Sequence, residues 1–206
     1  MNLTTTLTTA KGRRIATALV AAATGAAVVV PAASASAGEI EVNFDGGTPN
    51  TPCGFASETA LANKYAGSGI RFRGPGGGDD GGAILDKCAG FGVNAHSGLR
   101  FLAFNGNAFG SLSDGGTPRG PETILFTKRQ KRVSIWVSQG SAPGTPTFKL
   151  VGKRGNRTIR TATATTNTSA WLKLEVRNRK GFKKVVLSAT NDPDRAWVAD
   201  DLVIRR

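Results

Sequence analysis

The chain is poor in the residues on which most catalytic and metal chemistry depends: among 206 residues there are one histidine, two cysteines, one methionine and one tyrosine. A single histidine leaves Ser-His-Asp chemistry to His96 alone, and the Gly-x-Ser-x-Gly nucleophile turn is missing. His96 lies in Asn94-Ala95-His96-Ser97-Gly98, a turn-like setting in which a surface histidine is the ordinary expectation. Two cysteines and one histidine cannot close a zinc site. The phosphate-loop pattern is absent too, and Asp79-Asp80 in the Gly-rich stretch 74–82 would repel a phosphate, so that stretch reads as a surface loop. A glycosidase needs only two carboxylates, and Glu122 or Asp86 could be put forward, but no spacing singles out a pair. Helix-turn-helix, zinc-finger and RNP-like patterns are missing, which argues against specific nucleic-acid recognition. A non-catalytic binding protein is therefore expected, with a polysaccharide hydrolase the weakest reading.

Long apolar runs are also lacking. The longest, Ile15 to Val30, is 16 residues diluted by Thr17, Thr24 and Gly25, short of what a bilayer core requires. It follows Lys11, Arg13 and Arg14 and precedes the small residues Ala33 to Ala37, the order of a secretory signal peptide over residues 1–37. The pair Arg13-Arg14 invites a twin-arginine route, but Ile-Ala-Thr after it favours general secretion. Cleavage after Ala37 would leave one domain, residues 38–206, exported without a transmembrane segment. Such a domain is large enough to bury about two thirds of its unfolded surface. Its two cysteines, Cys53 and Cys88, would meet an oxidising exterior, and a disulfide between them is the simplest reading. Closing that loop would stabilise the fold by about 3 to 4 kcal/mol.

Acidic residues are scarce where the chain is most basic. The expected mature part has 24 Lys and Arg against 14 Asp and Glu, a formal charge of +10. Residues 39–120 hold six basic and eight acidic residues, whereas residues 121–206 hold eighteen and six. An anionic polymer of the cell wall or the extracellular space is a plausible neighbour on charge alone, with edge-strand protection by Lys and Arg as the plainer explanation.

What remains reads as β-structure. Ile40, Val42 and Phe44 alternate with polar residues, the pattern of a strand with one buried face. Similar runs recur at residues 69–73, 99–104, 123–126, 132–138, 147–151, 158–164, 171–177, 184–189 and 197–204, separated by Gly, Pro, Asn and Asp. The one helix candidate, Ser57 to Tyr65, is short and peripheral. One-faced strands without intervening helices fit two antiparallel sheets packed face to face.

Several pieces of the chain resemble the galactose-binding-domain-like jelly rolls of secreted bacterial proteins, which include many carbohydrate-binding modules: Val42-Asn43-Phe44-Asp45, Tyr65 with Gly69-Ile70-Arg71-Phe72, Phe101 to Asn105, and Trp197 to Leu202. The resemblance implies an all-β, two-sheet antiparallel jelly-roll β-sandwich. It also implies a structural Ca²⁺ between the first and last strands, carried over to Glu41, Asp45, Asp200 and Asp201. Independently, alternation over residues 197–204 sends one of Asp200 and Asp201 towards the core. An inward carboxylate requires a cation, hydrogen-bond donors or a raised pKa. A solvated Asp pair, or an Asp capping backbone amides at the sheet rim, would do without calcium.

Carbohydrate is the leading ligand class. In residues 132–138, Val133, Ile135 and Val137 should face the core, leaving Trp136 outward between Ser134 and Ser138. Trp171 sides with Lys173, Glu175 and Arg177 rather than with Leu172 and Leu174. Outward tryptophans suit the apolar face of a pyranose, unless a loop or a neighbouring strand covers them. The expected product is a secreted or wall-associated protein, monomeric, binding a glycan through Trp136, Trp171, Ser134 and Ser138. The alternative is an electrostatic binder of envelope or extracellular polyanions.

Overall fold

The strand β8, Glu122–Ser138, and its partner β11, Leu172–Ala189, organise the molecule. In β8 the buried apolar residues are Ile124 and Phe126 before the middle of the strand and Val133, Ile135 and Val137 after it, so the inward apolar set changes from even to odd. In β11 the change runs likewise, from Leu174 and Val176 to Val185 and Leu187. The ladder between the two is irregular where this happens, between Arg177 and Lys184, with Gly181 at φ 69°. An irregular ladder of this kind bends a strand and increases its twist. Each strand therefore passes through an elbow from one layer of a sandwich into the other. Sequence patterning suggests two strands at each place because the alternation loses phase at the elbow.

The computed structural model describes residues 38–46, 59–74, 83–86, 93–103, 105–106, 117–118, 121–139, 144–189 and 197–206. The expected signal peptide, Cys53, Cys88, Asp79 and Asp80 lie outside the described residues. The other strands are β1 Glu39–Val42, β2 Thr59–Ala60, β3 Ile70–Arg73, β4 Ala83–Asp86, β5 Arg100–Ala103, β6 Asn105–Gly106, β7 Thr117–Pro118, β9 Thr147–Arg154, β10 Arg157–Thr165 and β12 Val198–Arg205. All ladders among them are antiparallel. The first half of β8 pairs with β3 and the second half with β12, which also carries β1 and β5. The second half of β11 pairs with β9, and β9 with β10.

The chain is thus an all-β antiparallel sandwich, as the alternation predicts. One shared core draws Phe72, Phe148, Phe182, Ile135 and Leu202 from five strands. Each such side chain contributes about 1.5 to 3 kcal/mol on burial. The helix expected over residues 57–65 does not form where the chain is described. Thr59–Ala60 is strand, and a 3-10 turn follows at Ala66–Ser68, closed by Gly69 at φ 78°. Local propensity in Ala60-Leu61-Ala62 yields to the pairing of β2 with β4 and to burial of Leu61. Among the described residues no helix is long and apolar enough to cross a membrane.

Candidate functional site

The last strand departs from strict alternation, and that departure builds the site. Trp197 and Ala199 enter the core, but so do Leu202 and Ile204, so the inward parity changes between residues 199 and 202. Across Asp200 and Val203 the ladder to β8 loses its register, and Asp201 takes φ 46°. This bulge corrects the expectation that one carboxylate faces the core. Both acids meet the segment 96–97 instead. Asp200 Oδ2 accepts the backbone N–H groups of His96 at 2.9 Å and Ser97 at 3.1 Å, and its Oδ1 accepts the N–H of Asp201 at 2.8 Å. Asp201 Oδ1 accepts the Ser97 hydroxyl at 2.5 Å, and its Oδ2 lies 2.5 Å from His96 Nδ1.

A third carboxylate continues the clasp. Phe44, fully buried with its ring 6.0 Å from Tyr65 and 6.1 Å from Phe72, adopts φ 60°, a costly conformation for a bulky residue. The turn of backbone aims Asp45 at the residues that follow this segment, where Oδ1 accepts the N–H groups of Leu99 at 2.8 Å and Arg100 at 3.1 Å. Burial pushes the Asp200 carboxyl up to about 7, the Ser97, Asp201 and His96 amides opposing and the Asp201 charge assisting. Burial likewise pushes the Tyr65 hydroxyl up to about 12, with the Asp45 charge adding to it.

These contacts bear on the calcium expectation. Calcium takes six to eight oxygens, and here the oxygens of Asp200 and Asp201 face N–H and O–H donors, while Glu41 is exposed on β1 opposite Val203. Among the described residues no three His, Cys, Asp or Glu gather to hold a metal ion. The residues present do not fit a calcium cage, and hydrogen-bond donors meet the need that the ion was invoked to fill. EDTA should accordingly leave the melting temperature within about 2 °C of its value in excess calcium. A calcium-dependent rise that vanishes in Asp200→Asn would restore the ion.

Above the clasp stand the aromatic residues. Trp136, on β8 with Asp200 on one flank and Lys173 on the other, is half-buried. The His96 imidazole stacks on it at 4.0 Å between centroids and 21° between planes. His96 also meets Trp171 edge-on at 5.8 Å, Trp171 Nε1 donates to the Asn94 carbonyl at 3.0 Å, and Lys173 Nζ lies 5.5 Å from the centre of the Trp136 ring. The strand pattern sends Trp136 away from the core, but the His96 imidazole covers one face of the ring. Ser134 and Ser138 are corrected more strongly: both are fully buried, and the Ser138 hydroxyl donates to the Ser169 carbonyl at 2.9 Å. Neither is available to a ligand. The part played by His96 is not legible locally, because its partners Trp136, Trp171, Asp200 and Asp201 lie 40 to 105 residues along the chain.

No protein-family model matches the chain, and no curated protein sequence matches it. Solved structures similar to it include the K1 cleaved adhesin domain of Lys-gingipain from Porphyromonas gingivalis W83, at 14% identity and TM-score 0.48, covering 81% of this chain and 97% of that one. Another is the C-terminal family 22 carbohydrate-binding module of Clostridium thermocellum Xyn10B, at 14% and 0.46, covering 81% and 92%. A family 61 carbohydrate-binding module solved with β-1,4-galactotriose is similar at 17% and 0.40, covering 73% and 100%.

Proposed function

We propose that this chain is an exported, non-catalytic carbohydrate-binding protein whose contact with the apolar face of a sugar is made at Trp171, beside the edge of Trp136 and Lys173. The observation that carries the reading is the different fate of the three tryptophans. Trp197 is 3% exposed and packs on Phe148, as a core residue should, whereas Trp136 and Trp171 remain partly exposed on the outward side. A large aromatic ring held at a surface by a backbone hydrogen bond and a neighbouring imidazole is preorganised, so little entropy is lost when a ligand stacks on it. The charge pattern of residues 1–37 supports export.

The test is retention on insoluble xylan and on β-1,4-galactan. Trp171→Ala is expected to weaken retention at least tenfold while the melting temperature stays nearly unchanged. Trp136→Ala should weaken retention and also lower stability, because His96 loses the surface on which it stacks. Unchanged retention in Trp171→Ala would remove this reading, as would turnover of either polymer.

A further inference from the structure

The elbow of β8 and β11 carries a second feature that the aromatic site does not use. Antiparallel register sets Arg177 of β11 beside Arg132 of β8, and Arg132 beside Arg205 of β12, three guanidinium-bearing residues abreast on adjacent strands. Like charges directly across a ladder destabilise it. Among the described residues the compensation is partial. Glu175 binds Arg132 Nε at 2.7 Å and also Arg177 Nε, and Glu39 stands 3.9 Å from Arg132. Against a burial penalty, the hydrogen bonds from Arg177 and Arg132 hold the Glu175 carboxyl below its usual range, so it stays charged and fixes both guanidiniums in place.

Just beyond Arg177 the ladder is interrupted, and Asn178, Arg179 and Lys180 project from the kink, ordered by the Lys180 N–H donating to Asn178 Oδ1 at 2.8 Å. With Arg160 they line an open concavity of about 550 Å³. A second, of about 280 Å³, adjoins it and shares Arg177, Asn178 and Arg179, with Lys131, Arg132 and Arg205 continuing the wall. Among the described residues neither concavity has an acidic or aromatic residue in its lining.

We propose that this elbow is an anion-binding subsite for a polysaccharide bearing carboxylate or sulfate groups, separate from the aromatic site. Planar guanidinium forks match the geometry of either oxyanion. Two adjoining shallow hollows suit neighbouring charged sugars along a chain. Single-stranded nucleic acid ordinarily stacks its bases on aromatic rings, and the lining offers none. An anionic chain laid here would neutralise the row of like charges that the bare protein tolerates at a cost.

The experiment measures binding of polygalacturonate, dextran sulfate, neutral dextran and a 20-base-pair DNA duplex to the wild type and two charge-matched variants. Arg179→Glu with Lys180→Glu alters the elbow, and Lys64→Glu with Arg71→Glu alters two exposed positions on the turn before β3 and on β3 itself. The elbow variant should lose at least tenfold affinity for one or both anionic glycans, and the control pair less than twofold. Neutral dextran should not bind. The difference between the polygalacturonate and dextran sulfate arms tells which oxyanion is preferred. Equal losses in both variants would show general charge attraction and overturn the site, and tighter binding of the duplex than of either glycan would overturn the assignment of ligand class. Retention on neutral xylan through Trp171 should be unaffected by the elbow variant, so the two sites fail or stand separately.

Discussion

Asp200→Ala should be the most damaging of the single substitutions considered, lowering stability by about 3 to 5 kcal/mol, because three backbone N–H groups lose one buried acceptor at a stroke. The same residue should give stability a characteristic dependence on pH. Its folded pKa, about 7, lies above the ordinary carboxyl value of 3.8, so between those limits the native state holds a proton that the unfolded chain has released. Stability from this group is complete below about pH 4, falls as pH rises towards 7, and is flat beyond. The change is on the order of 4 kcal/mol. Other carboxyls titrate in part of that window, and Glu175, whose pKa is lowered, contributes with the opposite sign. The difference between wild type and Asp200→Asn isolates the contribution of this carboxyl. Urea unfolding at pH 4, 5.5, 7 and 8 should show that difference shifting against the wild type as pH rises; a difference constant over the series would falsify the assignment.

Gly98→Ala should come next, at about 2 to 4 kcal/mol, with a proportionate fall in the melting temperature. Gly98 sits at φ 59°, which alanine adopts only with strain, and a Cβ there would overlap the carboxylate of Asp45. Asp45 would have to swing away and release the amides of Leu99 and Arg100. Asp45→Ala made in the Gly98→Ala background should then add little, since both changes act on the same contacts. Full additivity of the two, measured by denaturant unfolding, would show that the glycine matters only for its own backbone.

Alternation alone locates the core of this protein. Val133, Ile135 and Val137 are fully buried, and Trp136 turns the other way, because a period of two is a local property that a strand expresses wherever one face meets solvent. The same reasoning misleads at Asp200-Asp201, where a bulge moves the following residues to the opposite face and no local feature marks it. β2 and β4 are not legible, being only two and four residues long, so their pairing reflects tertiary contact more than propensity. Ser134 and Ser138 mislead for another reason. Residues on an outward face are exposed only if nothing crosses over them, and here the Ser138 hydroxyl is closed off by the carbonyl of Ser169.

That β8 and β11 each run through both layers has a mechanical consequence. The layers are joined by two continuous struts whose main chains are hydrogen-bonded to each other on both sides of the elbow, so they cannot swing apart like the halves of a clam. Any adjustment to the polymer proposed as ligand must come from side chains and rim segments, while the frame stays stiff.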